Sequence, residues 1–367
     1  MGGSNSQQDI IVDIRYGIIG TGMMGGEHIR NLAAMDNAMV VAIADPSAKS
    51  RQWALKACGA RFKPTAYEHY QELLSRPDLD AVVIASPNYT HIDVMRDVFA
   101  TDLHVLLEKP ICTTLLDALE VCRRAEQHRG LVWIALEYRY MAPTAALIRH
   151  LGEIGEIRMC AIQEHRFPFL RKVDNWNRFN RNTGGTLVEK CCHFFDLMNL
   201  VIQAEPIRVM ASGGQSVNHL DEEYAGEVPD ILDNAYVIVE YASGARAMLD
   251  LCMFAEGGRF EQQISITGDE GKLETGIPSD KLYLSRRADN NYSVIDVPAD
   301  PRVREEGLHH GASYLEHLDF AAAIASGSPA GVTARDGLNA MLLGVAGHTS
   351  IETGLPVEPA ALLKAAE

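Results

Sequence analysis

Two short segments of this chain hold the side chains best suited to moving a proton. The first is Glu108-Lys109-Pro110, which closes the apolar run at residues 103–107. The second is Gly184-Gly185-Thr186-Leu187-Val188-Glu189-Lys190-Cys191-Cys192-His193-Phe194-Phe195-Asp196. If the chain is helical from Thr186, Glu189 and His193 are i and i+4 and share a face. Histidine, with an unperturbed pKa of about 6.5, can take a hydroxyl proton near neutrality and return it in the reverse direction. A lysine ammonium can donate to the same oxygen and stabilise alkoxide character. Glu189 could orient the imidazole or hold a substrate hydroxyl. The plain alternative for His193 is a hydrogen-bonded core histidine.

A reaction partner for an alcohol is suggested upstream. Gly20-Thr21-Gly22-Met23-Met24-Gly25 follows one apolar run and opens a helical pattern. In such a loop the first glycine permits a tight turn and the second lets the backbone approach a pyrophosphate. The third allows close helix–strand packing. The helix N-terminus then faces the phosphates. Asp45 ends the next apolar run, 20 residues after Gly25, where a carboxylate can accept from adenosine ribose hydroxyls. A 2′-phosphate would meet like charge there, so NAD is expected over NADP; Lys49 and Arg51 lie close enough to keep NADP open. Asp45 could instead cap the helix that starts near Ser47. Ser86-Pro87-Asn88-Tyr89-Thr90-His91 stops at the same crevice edge. Ser86 and Asn88 are candidates for the nicotinamide ribose region, or for a plain turn. His91 is placed beside the cofactor but fits packing or capping better than reaction. A lysine at the carboxyl end of a strand in this sheet, as Lys109 would be, can point into the crevice, with Glu108 beside it.

Further groups could line a cleft. The loop at residues 174–182 mixes Trp176, Arg178 and Asn182 with other amides and aromatics, a composition that holds hydroxyl-rich ligands. A solvated surface loop is the alternative. Tyr138-Arg139-Tyr140 falls at the expected hinge between two domains. No metal site is expected. Adjacent Cys191 and Cys192 diverge on a helix, and no Cys-x-x-Cys pair is present to complete a tetrahedral set.

The elements that must position these groups follow from the apolar pattern. Short apolar runs at 14–19, 39–44, 81–85, 103–107 and 131–135 alternate with helical patterns that begin near Met24, Ser47, Tyr67, Thr90 and Thr113. Strands apolar on both faces with helical crossovers make a parallel sheet covered on both sides. Residues 13–136 are therefore one doubly wound domain, with 1–12 a disordered tail. A helix near 143–151, a strand at 156–165, the polar loop and a continuous helix over 186–201 open a second domain spanning 137–330. Strands follow at 207–217, 234–241, 245–251, 262–267, 281–284 and 292–297, joined by turn signals such as Ser243-Gly244. This is an α+β domain with a large, mostly antiparallel open sheet. Helices at 310–326 and 333–353 end the chain, residues 331–367 forming a C-terminal helical segment. Such an open sheet usually needs its second face covered, which predicts a homo-oligomer, a dimer or tetramer.

Bulk properties remove other classes. The 367 residues carry a net charge of −16 and no basic run, which argues against a nucleic-acid partner. No apolar stretch is long enough to span a bilayer. The N-terminus lacks a basic n-region followed by an apolar h-region, so the expected location is cytoplasmic. Seven irregularly spaced cysteines fit reduced thiols.

In their order and spacing these motifs resemble the glucose–fructose oxidoreductase / inositol dehydrogenase / MocA family. The resemblance runs from residue 14 to about residue 354, and Gly271-Lys272-Leu273-Glu274 is similar to a short motif of that family's second-domain sheet. It implies a Rossmann domain, a sheet-containing second domain, and nicotinamide-dependent oxidoreduction of a sugar, inositol or related cyclic polyol. It also implies a catalytic role for Lys109 and a proton-transfer role for His193. The family's aspartate, four residues before that histidine, is here Glu189. Other readings on the same scaffold are an NAD-dependent glycosidase and a non-catalytic sugar or nucleotide sensor.

Overall fold

The computed structural model describes residues 13–367. The tail expected at residues 1–12 lies outside the described residues. The first sheet has six parallel strands: β1 (Ile14–Ile19), β2 (Ala38–Ala44), β3 (Thr65–Tyr67), β4 (Ala81–Ile84), β5 (His104–Glu108) and β6 (Val132–Ala135). Their order is β3-β2-β1-β4-β5-β6. The winding reverses between β1 and β4, and it is at such a switch point that a crevice opens beyond the strand ends. Helices α1 (Met23–Ala34), α2 (Ala48–Cys58), α3 (Tyr70–Leu74), α4 (His91–Val98) and α5 (Leu115–Ala125) make the crossovers. β1, β4 and β5 are buried almost throughout, the reason their sequences read as continuous apolar runs.

The five strands expected here prove to be six. β3 is only three residues long and half open to solvent, so it lacks an apolar run. The helix expected from Tyr67 starts instead at Tyr70.

The second domain carries α6 (Ala142–Arg149), β7 (Ile157–His165), α7 (Asn180–Thr183), α8 (Thr186–Glu189) and α9 (Cys192–Ile202). Its strands continue as β8 (Pro206–Gly214), β9 (Asn234–Tyr241), β10 (Arg246–Cys252), β11 (Gln262–Gly268), β12 (Gly271–Ile277), β13 (Lys281–Arg286) and β14 (Asn291–Asp296). They form an eight-stranded sheet ordered β14-β13-β12-β11-β7-β10-β9-β8, antiparallel except for the β7–β10 pair. β12 was expected only from the resemblance, because its glycines blur the alternation. The single helix expected over 186–201 is broken at residues 190–191 into α8 and α9.

Alternation is regular along the central strands β9, β10 and β11. Val237, Val239, Leu249 and Leu251 are buried on one face. On the other, Met159 is 59% exposed and Tyr236 61% exposed, with Ile238 and Met248 beside them. This face, where those apolar side chains stand among the polar pairs Gln163–Asp250 and Lys272–Glu274, has no covering layer within the described chain.

The chain then returns to its first half. α10 (Ala312–Ser326) packs on α1, and α11 (Ala334–Thr353) packs on α5, β6 and α9. The Ile134 amide donates to the carbonyl of Val332, so the edge of the first sheet is finished by residues far downstream. A last helix, α12 (Pro359–Ala366), which the apolar pattern did not indicate, covers α11 and β8.

Arg139, expected to line the cleft, is spent on this docking. Its guanidinium donates to both oxygens of Asp196, at 2.7 and 2.5 Å, lies 3.4 Å from Asp336, and donates to the carbonyl of Gly331. Asp196 is 2% exposed, and burial raises its pKa while Arg139 lowers it. Removing one partner of a buried ion pair strands the other charge. Arg139→Leu is therefore predicted to cost about 3–5 kcal/mol in denaturant unfolding. A change below about 1 kcal/mol would show that the pair does not hold the domains together.

Candidate active site

The nucleotide loop is shaped by close backbone approaches. Gly20 has φ +85°, and a Cβ there would sit 2.4 Å from the Ser86 amide nitrogen. A Cβ on Gly25 would sit 2.1 Å from the Gly20 carbonyl oxygen. A Cβ on Gly22, by contrast, would meet nothing within 4 Å. The loop is packed shut behind and open at its second glycine. α1 has no side-chain N-cap and no acidic residue in its first turn, so its amino end is free for an anion. Thr21 is buried, Met24 half-buried, and Met23 exposed beside the loop.

Asp45 is fixed at the end of β2. Its two carboxylate oxygens accept from the amides of Thr21, at 2.7 Å, and Ser47, at 2.8 Å. The cap of α2 is Ser47, which accepts from the Ser50 amide. Arg51 folds back and donates to the carbonyls of Asp45 and Pro46, while Lys49 lies over Trp53. Neither cation is aimed past the carboxylate.

Beyond β4, the Thr90 hydroxyl donates to the Pro87 carbonyl and lies 2.7 Å from the Ser86 hydroxyl. Asn88 is buried, with its amide 3.5 Å from the Thr183 carbonyl. His91 does not face the crevice. It is fully buried, with ring nitrogens 2.9 Å from the Pro110 carbonyl and 3.1 Å from that of Ser86, and it ties the two loops together.

Lys109 emerges from the carboxyl end of β5 and is partly open. Its ammonium donates to the carbonyl of Glu189 at 2.9 Å, across the domain boundary. Burial works against its charge, but Cys192, Glu108, Glu189 and Glu137 outweigh it and raise its pKa. Burial lifts the Cys192 thiol to about 12, so at neutral pH the carboxylates carry that effect. Glu108 is buried and accepts from its own neighbour's amide, that of Lys109, and pairs with His28 at 2.9 Å. Burial would raise the Glu108 pKa; the bond to His28 wins and holds it low.

His193 lies at the start of α9, 2% exposed. Its ring stacks on Tyr138 with centroids 4.0 Å apart and planes 8° apart. The Tyr138 hydroxyl accepts from Lys190 at 2.8 Å, and Lys190 pairs with Glu164, also at 2.8 Å. The ring platform is thereby held by a buried ion pair. Burial, with Lys109, Lys190, His309 and Arg166 adding to it, puts the His193 pKa well below the ordinary value. The imidazole is neutral at neutral pH. Its Nδ1 is buried without a partner, and its Nε2 lies 3.7 Å from Glu137.

The carboxylate nearest this histidine is therefore Glu137, not Glu189. With the helix broken between them, Glu189 faces Lys172, Lys109 and Arg178 instead, and burial raises its pKa against their pull. Among the loop residues, Trp176 stands edge-on to Tyr89 and under the Lys172 ammonium. Arg178 is turned inward to Glu222 at 2.8 Å, and Asn182 donates to the Trp176 carbonyl. These two build the loop rather than reach out of it.

Several site residues were not anticipated. Lys172 and Glu137 each adjoin a segment that drew notice, and Lys190 lies inside one without having been given a role. Glu137 directly follows β6 at the crevice edge, and that position was the available signal. Glu27 and His28 lie buried on α1, and His309 comes from a turn far along the chain. Nothing local marks that convergence.

Comparison with known proteins agrees with this architecture. Residues 14–136 match the model of the oxidoreductase family, NAD-binding Rossmann fold, and residues 148–358 match its C-terminal alpha/beta domain. The myo-inositol 2-dehydrogenase of Thermotoga maritima is 28% identical over 345 residues, covering 92% of this chain and 96% of the relative. The rhizopine catabolism protein MocA of Rhizobium meliloti is 25% identical over 334 residues, covering 90% and 92%. The crystal structure of a probable dehydrogenase from Thermotoga maritima superposes with a TM-score of 0.75 at 26% identity, over 95% of this chain and all of that one. The chain belongs to the Gfo/Idh/MocA oxidoreductase family and is an NAD-dependent oxidoreductase.

Proposed function

We propose that this protein oxidises a ring hydroxyl of a sugar, inositol or related cyclic polyol. The observation that carries the reading is that the Lys109 ammonium, from the first domain, bonds the carbonyl of Glu189 in the second, four residues before His193, and is near enough to that histidine to add to burial in lowering its pKa. They stand beyond the switch point of the nucleotide sheet. The similarity to a myo-inositol 2-dehydrogenase supports the substrate class.

The loop fits the cofactor because Gly22 leaves open the space that a side chain would fill. Gly20–Gly25 and the start of α1 would hold the pyrophosphate, Asp45 the adenosine ribose, and Ser86 and Asn88 the nicotinamide ribose region. Bound NAD supplies the hydride acceptor. The chain's own groups do the rest. The Lys109 ammonium stabilises negative charge on the substrate oxygen. His193, neutral and with an unpartnered nitrogen, takes the hydroxyl proton. Tyr138 fixes the plane of the imidazole. Lys172 and Trp176 offer a cation and an aromatic face for a hydroxyl-rich ring.

The test is NADH formation from NAD and a panel of inositols, aldoses and anhydrosugars. Oxidation of a member by the wild type supports the reading; NAD binding without turnover on any of them counts against it. The pH profile gives a second check. A base whose pKa is depressed keeps its proton-free form to lower pH. The acid limb of kcat/KM is thus predicted below pH 6.5, and a limb above that value would assign the base elsewhere.

The exposed apolar sheet face supports a homo-oligomer, the partner being a second copy of this chain. Light scattering at micromolar concentration is expected to give a dimer or tetramer. A monomer would rule this out.

A further inference from the structure

Oxidation of an alcohol releases a proton as well as a hydride, and His193 cannot hand that proton directly to water. It is 2% exposed and stacked against Tyr138. A line of side chains leads outward from it. Its Nε2 lies 3.7 Å from Oε1 of Glu137. The same oxygen lies 3.5 Å from Nε2 of His309. Nδ1 of His309 lies 3.1 Å from Oε1 of Glu27, and the His309 side chain is 19% exposed. The two approaches to Glu137 are longer than hydrogen bonds; catalytic hydrogen bonds are often long until substrate tightens them.

We propose that Glu137 and His309 carry the proton from His193 to solvent, with Glu27 positioning His309. The inference rests on the dehydrogenase reading above. The substrate O–H bond breaks and its proton goes to Nδ1 of His193, a nitrogen closed to solvent that the substrate must uncover as it binds. The proton on Nε2 passes to Oε1 of Glu137. The carboxyl gives its proton to His309, which releases one to water at its exposed edge. One proton leaves per turnover and no further oxidant or reductant is required; the imidazole is left protonated on Nδ1 and must exchange back to the Nε2–H tautomer before the next turnover.

Placement supports the assignment. Glu27 comes from α1, and its Oε1 also accepts from the amide of Leu308, which fixes the turn that carries His309. Glu137 feels His309, Glu108 and Lys109, and lies close to Glu316. His309 feels Glu137, Glu27 and Glu108. His193 feels Lys109, Lys190, His309 and Arg166. Burial depresses His193 and raises Glu137. His309 is raised because the three carboxylates overcome its burial. Relative to its ordinary value, the innermost group thus holds a proton less well, and the two groups outward of it hold one better.

Two experiments test it. The first needs no substrate: histidine titration by NMR in the full chain. Glu137→Gln is expected to lower the His309 midpoint toward the ordinary histidine value and to move that of His193. An unchanged His309 midpoint would break the link and overturn the proposal. The second uses a substrate identified by the NADH assay. His309→Asn, with His309→Gln as a second variant, is expected to lower kcat at least about tenfold at neutral pH, with KM and NAD affinity retained. Added imidazole buffer should restore the rate, while wild-type turnover stays insensitive to buffer. An unchanged kcat, or a loss that no buffer relieves, would overturn it. If the wild type oxidises nothing in the panel, the dehydrogenase reading fails by itself, and the titration still decides the proton link.

Discussion

Replacing Lys109 by methionine is expected to lower kcat/KM by about 10²–10⁴-fold, roughly 3–5 kcal/mol of transition-state stabilisation. Methionine keeps most of the apolar stem and removes the charge. The charge matters because alkoxide character develops on an oxygen in a site already crowded with carboxylates. Glu108, Glu137 and Glu189 all face Lys109. Without the ammonium their field would oppose the developing anion. NAD affinity should change little if, as proposed, the glycine loop and Asp45 hold the phosphates and the adenosine ribose. Steady-state kinetics combined with a separate NAD binding measurement checks both parts. Near-normal turnover would remove Lys109 from the chemistry. Equal losses in turnover and NAD binding would make its role structural.

The second large effect separates two glycines that look alike in sequence. Gly25→Ala places a methyl 2.1 Å from the Gly20 carbonyl oxygen, and backbone cannot step aside cheaply. Overpacking of this kind costs about 1–3 kcal/mol and should lower Tm by several degrees. Gly22→Ala has open space around its new methyl, and Gly22 has an ordinary φ of −68°. Its Tm should stay within about 2 °C of wild type. The methyl would instead occupy the space a pyrophosphate must enter, and a cost of about 1.4–2.8 kcal/mol weakens NAD roughly 10–100-fold. Differential scanning fluorimetry and a binding titration measure the pair. Undiminished NAD affinity in Gly22→Ala would mean that the pyrophosphate does not pass over this loop.

The division between what the sequence told in advance and what it hid follows contact range. β1, β4 and β5 were legible because full burial on both faces leaves unbroken apolar runs. The glycine loop, Lys109 and His193 stood out as candidates because each sits beside such a run or in a compact motif. The break between α8 and α9 did not stand out, since residues 186–202 are apolar enough to read as one helix. That break decides which groups meet: Glu189 lies among Lys172, Lys109 and Arg178, and His193 lies 3.7 Å from Glu137. Arg139 and Arg178 read as cleft residues from their neighbours, yet each answers an acid elsewhere in the chain, Asp196 and Glu222. The pairing of Glu27 with His309 joins α1 to a turn near the end of the chain. No periodicity or spacing rule reaches that far.

The bond from Ile134 to the carbonyl of Val332, with α11 laid over α5 and β6, bears on how the protein is made. A ribosome completes all six strands of the nucleotide sheet long before it reaches residue 332. Until then the outer strand of the nascent sheet keeps an unpaired amide and an uncovered apolar flank, the kind of edge that recruits other chains. Synthesis halted in the second domain would leave a nearly finished nucleotide fold with a sticky side, a natural client for chaperones. The enzyme's last helices thus act as the latch on its first domain.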